Sequence, residues 1–468
     1  MSLKDIRKNP LLLTDGYNLG HQSLKVNSDW EVSNLVNRVA PMVLYGFHES
    51  VKTFMDIKIE HWMVDEAVAM SEEYGSPFPE NLFRRMIDEC NGTWPIRIES
   101  IPEGTYVPTG TPFAQIRNTK DGFGELCTYV EAIFMHAYFP SSCATRAFEM
   151  YRYLQNTIKD CGLDESFMYR FHSFGFRGHH SLEDAYWAGT AWSMFLPGTD
   201  DFHIKRHFPR DWPIHSIMAL AHKVTQQFDK EFDCFVHAID TVHSLGKKIV
   251  AVVIDTYNAD NVIDNFLVSL CSYAKQKDVT LVFRPDSGDV FGQAVRIYKN
   301  LNKAGYDNFS IIIGEGMSFE KAVEYDIGFA LANVPLTKVF YGIGAGYYKD
   351  LERDTLGWAQ KTSYSNGKNR MKLVKSNPLK QSIPGVIRLV NTCHGVMVET
   401  CHENSGANLL KVIYNDGVME PVPGFKEIKE NAINSFTGQQ RIVLSRELEI
   451  EIEHVKANIK KYNAVDYE

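Results

Sequence analysis

Between residues 248 and 346 the apolar positions come in short unbroken runs, each closed by polar or glycine-rich residues. Residues 248–254 lead into Asp255-Thr256-Tyr257, and residues 279–283 into Arg284-Pro285-Asp286-Ser287-Gly288. Residues 309–313 lead into Gly314-Glu315-Gly316, and residues 337–341 into Gly342-Ile343-Gly344-Ala345-Gly346. Each run is β-rich and is followed by a helix-like stretch, and the ends recur about every 30 residues, the length of one βα unit. Runs that are apolar throughout suit strands covered on both faces, as in a parallel sheet. Barrels and open parallel sheets place their active sites at the carboxyl ends of the strands, where the unusual residues fall here. Met168–Phe171, before His172-Ser173-Phe174-Gly175-Phe176-Arg177-Gly178, and Trp192–Phe195, before Gly198-Thr199-Asp200, extend the series. The expected fold class is α/β, with a barrel-like parallel βα domain over residues 145–365.

The flanks have another texture. Residues 96–118 alternate apolar with polar and carry turns, as hairpins of a one-sided sheet do. The pattern returns at 386–422, where Asn415-Asp416-Gly417 is a hairpin turn. Residues 1–144 and 366–468 are therefore expected to build one β-rich domain from both chain ends.

A chain of 468 residues, 44% hydrophobic and 12% aromatic, has enough apolar content for a large core or several smaller ones. Its net charge of −9, from 49 basic and 58 acidic residues, argues against nucleic acid or an anionic membrane as partner. No stretch approaches the roughly 20 apolar residues of a membrane span, and the start of the chain lacks a secretory signal. The eight cysteines are scattered without a C-x-x-C pair, which speaks against a disulfide framework and for the cytoplasm. Cys393-His394 and Cys401-His402 read as ordinary residues at strand positions.

Arg284 and Asp286 place a planar cationic fork beside a hard oxygen ligand. The plain alternative is an Arg-Asp pair capping a loop. Asp255, one unit earlier, could share a metal or bind ribose hydroxyls, or it could simply cap the next helix. The glycines at 314–316 and 342–346 let backbone N–H groups approach a phosphate.

The order of these motifs resembles the nicotinamide phosphoribosyltransferase family from near the start to about residue 432. The landmarks are Leu13-Thr14-Asp15-Gly16-Tyr17, Ile101-Pro102-Glu103-Gly104, His172 to Gly178, Gly198-Thr199-Asp200, Arg284 to Gly288, Arg353-Asp354, Tyr414 to Gly417 and Phe425 to Lys429. The resemblance implies a homodimer with active sites shared between subunits. It implies nicotinamide and phosphoribosyl pyrophosphate as substrates, Mg²⁺ as cofactor and ATP as activating co-substrate. By matching position, Phe174 and Tyr17 of the partner subunit would sandwich the pyridine ring, Arg177 and Arg284 would hold phosphate beside it, and Asp255 and Asp286 would serve ribose or metal. Gly314, Glu315, Gly344, Ala345 and Arg353 would hold the ribosyl phosphate, with Arg38, Lys361, Lys375 and Lys380 as further cations. His222 would be the catalytic histidine that ATP phosphorylates. Three positions depart from the pattern: Ala221 stands where relatives carry an acid, and Ile343 and Ala345 stand where they carry small residues or glycine.

Asp200 bears on the choice of base. A carboxylate accepts a hydrogen bond from an amide NH₂, whereas facing nicotinate it would set like charges in contact at a cost of several kcal/mol when desolvated. Transfer to nicotinamide, forming nicotinamide mononucleotide and pyrophosphate, is therefore expected. The alternatives are transfer to nicotinate, another phosphate-handling barrel enzyme, or a catalytically silent dimeric binding protein.

Overall fold

A computed structural model describes residues 8–25, 29–374, 377, 380–438 and 441–463. It resolves into two compact units, Arg146–Asp350 and the combination of Met1–Thr145 with Leu351–Glu468. Lys375 lies outside the described residues.

Arg146–Asp350 is built on a seven-stranded sheet whose paired strands are all parallel. Their order is Gly198–Thr199, Phe171–Ser173, Val339–Ile343, Phe309–Ile313, Thr280–Arg284, Ile249–Val253 and Met218–Ala219. Gly198 also bridges in parallel to His215, just ahead of the last strand. The sheet therefore curls into a barrel-like form. Alternate residues divide the apolar runs between two faces. Ala251, Val282 and Ile312 form an inner cluster with Phe174 and Phe340. Val250, Val252, Leu281, Phe283, Ile311 and Ile313 are buried on the opposite face. Crossover helices include Glu231–Ser244, Leu267–Gln276, Val290–Lys303 and Phe319–Leu331.

Two expected strands are corrected. Trp192–Phe195 is the last turn of helix Leu182–Phe195, capped by Ser181, whose hydroxyl accepts the Asp184 N–H. Only Gly198–Thr199 is strand there. A short apolar run cannot by itself distinguish a buried helix end from a buried strand. Likewise Glu165–Arg170 is a 3₁₀ helix, and extended pairing begins at Phe171.

In the other unit a second seven-stranded sheet runs in the order Lys368–Asn369, Trp358–Ser365, Glu31–Asn37, Pro112–Asn118, Ile96–Ser100, Lys411–Asn415 and Val418–Met419, with antiparallel pairings throughout. Residues 351–365, expected in the barrel, belong here because Trp358–Ser365 pairs along the whole of Glu31–Asn37. Asp416 and Gly417 both have positive φ, 49° and 84°, as a two-residue hairpin of mirror-image turn type requires. Cys393-His394 forms the turn between strands Ile387–Thr392 and Gly395–Thr400, rather than a strand position. No helix among the described residues is long and apolar enough to cross a membrane.

Candidate active site

The carboxyl ends of the parallel strands gather most of the chemistry. Asp255 and Asp286 follow adjacent strands, and each has been freed from the role of cap. Asn258 caps the helical turn after Asp255, and Asp289 caps helix Val290–Lys303 by accepting the Gly292 N–H at 2.9 Å. The Asp255 side chain is 8% exposed; its Oδ2 accepts the Ser287 hydroxyl, while Oδ1 is buried without a hydrogen-bond partner. His222 opens the short helix His222–Thr225 and sets Nε2 3.5 Å from Asp286 Oδ2 and 3.8 Å from Asp255 Oδ1. Its Nδ1 lies 3.1 Å from Thr256 Oγ1.

These carboxylates are suited to a hard cation. An unsatisfied buried oxygen on Asp255 beside Asp286 and the Ser287 hydroxyl matches the oxygen preference of Mg²⁺. Among the described residues no cluster of three or more His, Cys, Asp or Glu is arranged around a metal position. Two carboxylates with substrate phosphates and water are the usual environment for Mg²⁺.

Arg284 stands at the end of its strand with Nε buried and unbonded, 3.8 Å from Asp286 Oδ1. That separation is too long for a hydrogen bond, so the guanidinium is not used up in a loop-capping pair. Arg284 and Phe174 line a cavity of about 400 Å³ that continues into the barrel past Ala251, Val282, Ile312 and Phe340. The Phe174 ring fills the space a Cβ on Gly342 would need, 1.9 Å from its Cε2, and lies beside Gly314. Gly342 is thus required by the position of the ring.

Asp200 borders the same cavity. Its Oδ1 accepts both His172 Nε2–H, at 3.1 Å, and the Ser216 hydroxyl, at 2.5 Å. Gly198 makes room for this: a Cβ there would fall 2.7 Å from His172 Nδ1. Burial pushes the Asp200 carboxyl up, but these two hydrogen bonds and the charges of His172 and Arg284 outweigh it and hold the group below its ordinary range. Asp200 is therefore an anion at neutral pH, with Oδ1 anchored twice. His172, Ser216, Thr256 and Ser287 were not singled out as site residues by sequence reasoning. For His172 a signal existed, since it lies in the same strand-end motif as Phe174, two residues before it.

Other expected residues are more loosely placed. Arg177 is exposed on the 3₁₀ turn Phe176–Gly178, and Glu315 is exposed beyond its strand. Gly314–Gly316 precedes the helix start, which is capped by Ser318, and Gly344 and Ala345 begin only a single 3₁₀ turn, Ala345–Tyr347.

The unit made from the chain ends holds a second group. Tyr17 is 62% exposed. Burial raises its hydroxyl pKa, as do the charges of Glu131 and Asp15, against Arg353. Burial lowers the Lys361 pKa, and the charges of Arg38, Lys372 and Arg353 lower it further, against Glu131 4.0 Å away. Arg38 is likewise lowered by burial and by Arg353. Arg353, Arg38 and Lys361 are therefore close enough to repel one another. Lys380 is exposed, and among the described residues no contact ties it to this group.

A parallel barrel-like sheet thus carries carboxylates, an arginine and an aromatic wall at its strand ends, an arrangement suited to an enzyme that handles a phosphorylated sugar and a flat base. Residues 169–417, more than half of the chain, match the nicotinate phosphoribosyltransferase (NAPRTase) family, and the chain belongs to that family of phosphoribosyltransferases of NAD salvage. It is similar to the nicotinamide phosphoribosyltransferase of Xanthomonas campestris pv. campestris, 26% identical over 341 residues that cover 68% of this chain and 72% of that one. It is also similar to the nicotinamide phosphoribosyltransferase of Acinetobacter baylyi, 24% identical over 354 residues, covering 65% and 69%. The fold is that of human nicotinic acid phosphoribosyltransferase, with a TM-score of 0.64 at 16% identity over 95% of this chain and 100% of that one.

Proposed function

We propose that this phosphoribosyltransferase uses nicotinamide, joining its ring nitrogen to C1 of the ribose of phosphoribosyl pyrophosphate and releasing pyrophosphate. The observation that carries this reading is Asp200: an anion at the cavity wall, with one oxygen held by His172 and Ser216. An amide NH₂ is the complement of that carboxylate, whereas a second carboxylate would be repelled. Two relatives at 24% to 26% identity carry the name nicotinamide phosphoribosyltransferase, which agrees with the choice.

Phe174 provides a face for the pyridine ring, and Asp200 orients the amide so that the ring nitrogen points out of the cavity toward the ribose. The C–O bond to pyrophosphate breaks as the C–N bond forms, through an oxocarbenium-like state that needs no proton transfer at the ring nitrogen. Arg284 balances charge on the departing group, and positioning with charge stabilisation supplies the rate. Asp255 and Asp286 would hold Mg²⁺, which neutralises pyrophosphate when bound. His222 is the proposed acceptor of a phosphoryl group from ATP. With Nδ1–H donated to Thr256, its Nε2 lone pair faces the phosphate-binding side. Such a group beside Asp255 and Asp286 would bias binding and release of the pyrophosphate end.

The Tyr17, Arg38, Lys361 and Arg353 group belongs, in this reading, to a homodimeric enzyme: Tyr17 of the partner subunit covers the second face of the base, and the cations hold phosphate. Incubating the protein with phosphoribosyl pyrophosphate, Mg²⁺ and each base in turn, with and without ATP, tests the whole scheme. Nicotinamide mononucleotide and pyrophosphate in equal amounts are expected, faster with ATP. Efficient transfer to nicotinate alone would reverse the choice of base.

A further inference from the structure

Asp201 follows Asp200 directly but faces away from the cavity chemistry. It is 1% exposed, and its two oxygens grip one short segment. Oδ1 accepts the Phe176 N–H at 3.1 Å and Oδ2 accepts the Ser173 hydroxyl at 3.3 Å, while Ser173 Oγ accepts the Gly175 N–H at 3.3 Å. The segment is also gripped by the buried Tyr348, whose hydroxyl donates to the Gly175 carbonyl at 3.1 Å and whose ring stacks on His179 at 3.8 Å. A Cβ on Gly178 would lie 2.5 Å from the Tyr348 hydroxyl, so this contact allows little movement. Helix Leu182–Phe195 presses close to Asp201 as well, since a Cβ on Gly189 would be 3.2 Å from Asp201 Oδ2 and 2.7 Å from Ile204.

We propose that Asp201 is a positioning residue for the base site: its ionised carboxylate clamps residues 173–178 and thereby fixes Phe174 and Arg177. The inference rests on the reading of Phe174 as a wall of that site. A carboxylate is acceptor-only and meets two donors here; protonation turns one oxygen into a donor and breaks the match. Burial pushes the Asp201 carboxyl up to about 6 against the Phe176 N–H and the Ser173 hydroxyl, with the Asp200 charge adding and His172 opposing. The clamp is therefore set at pH 7.5 and released toward pH 5. Stability follows the opposite sign. A carboxyl raised above its ordinary 3.8 contributes stability that is present at low pH and lost as pH rises through about 6. Ionised Asp201 orders the segment at the expense of global stability.

The test compares wild type with Asp201→Asn across pH 5 to 8. It follows protection of the residue 174–178 amides against hydrogen exchange, the KM values for nicotinamide and phosphoribosyl pyrophosphate, and Tm. In wild type, protection of the Phe176 amide should fall about 10-fold as pH drops through 6, and the nicotinamide KM should rise several-fold in parallel. The KM for phosphoribosyl pyrophosphate should stay within about twofold. Asp201→Asn should show no pH step in protection, a raised nicotinamide KM at pH 7.5, and a Tm at pH 8 no lower than wild type. A wild-type segment whose protection shows no step, or a step that survives in Asp201→Asn, overturns the clamp. Protection that behaves as expected while the nicotinamide KM does not would support the clamp and remove Phe174 from the base site.

Discussion

The strand ends of the barrel-like unit and the cationic group of the terminal unit differ in how their charges are satisfied. At the strand ends, acids dominate and are held locally: His172 and Ser216 bind Asp200, Ser287 binds Asp255, and His222 lies between Asp255 and Asp286. In the terminal unit Arg38, Lys361 and Arg353 repel one another, and Glu131, 4.0 Å from Lys361, and Asp354, 3.1 Å from Arg353, compensate in part. A preorganised acid cluster suits recognition of an amide and a cation. A group of cations close enough to repel one another is suited to an anion such as a phosphate. In the proposed reading, one region selects the base and the other supplies affinity for the phosphorylated sugar.

That division can be broken most sharply at the strand ends. Asp286→Ala should lower kcat/KM by about 10³-fold, because the Mg²⁺ that would neutralise the departing pyrophosphate loses one of its two proposed carboxylate ligands. A loss under tenfold in steady-state rates would show that Asp286 has no such part. Asp200→Asn should shift the ratio of kcat/KM for nicotinamide over nicotinate toward nicotinate by about 10- to 100-fold. An unchanged ratio would show that Asp200 does not face the substituent.

Smaller effects are expected from the cationic group. Lys361→Met should raise the KM for phosphoribosyl pyrophosphate by about tenfold while leaving the base ratio intact, and the difference from wild type should shrink in high salt. A changed base ratio instead would erase the division between the regions. Mixing Tyr17→Ala with Phe174→Ala protein should restore about a quarter of wild-type activity, since half the dimers are mixed and each carries one intact site. Mixtures no more active than their parents, with subunit exchange proven by mass, would refute sharing. His222→Ala should retain slow synthesis that ATP no longer stimulates, with acid-labile phosphoprotein lost from the labelling assay.

Much of the strand-end site was legible because a parallel strand delivers its residues to one edge in chain order. Asp255, Arg284, Asp286 and Gly314 close apolar runs that recur at the spacing of βα units, as covered parallel strands do. What the runs could not show was the bonding among the loops: that Asn258 and Asp289 take over capping, or that Ser216 reaches Asp200 across 16 residues. Trp192–Phe195 misled because a helix buried on every side loses its polar stripe and reads like a strand. The end of the barrel at 365 misled for a related reason, since Trp358–Ser365 is β-rich in either setting and only its pairing with Glu31–Asn37 assigns it. The cationic group comes from residues 38, 353 and 361, with Tyr17 nearby, and no spacing rule joins such positions. It was reached through family resemblance alone.

The most direct measurement of the central claim is a competition. Equal concentrations of nicotinamide and nicotinate are offered to the purified enzyme with limiting phosphoribosyl pyrophosphate and Mg²⁺, and the two mononucleotides are separated and counted. The anionic, doubly anchored Asp200 predicts nicotinamide mononucleotide in at least about tenfold excess, an excess that collapses in Asp200→Asn. Equal products, or nicotinate mononucleotide in excess from the wild-type protein, would contradict it.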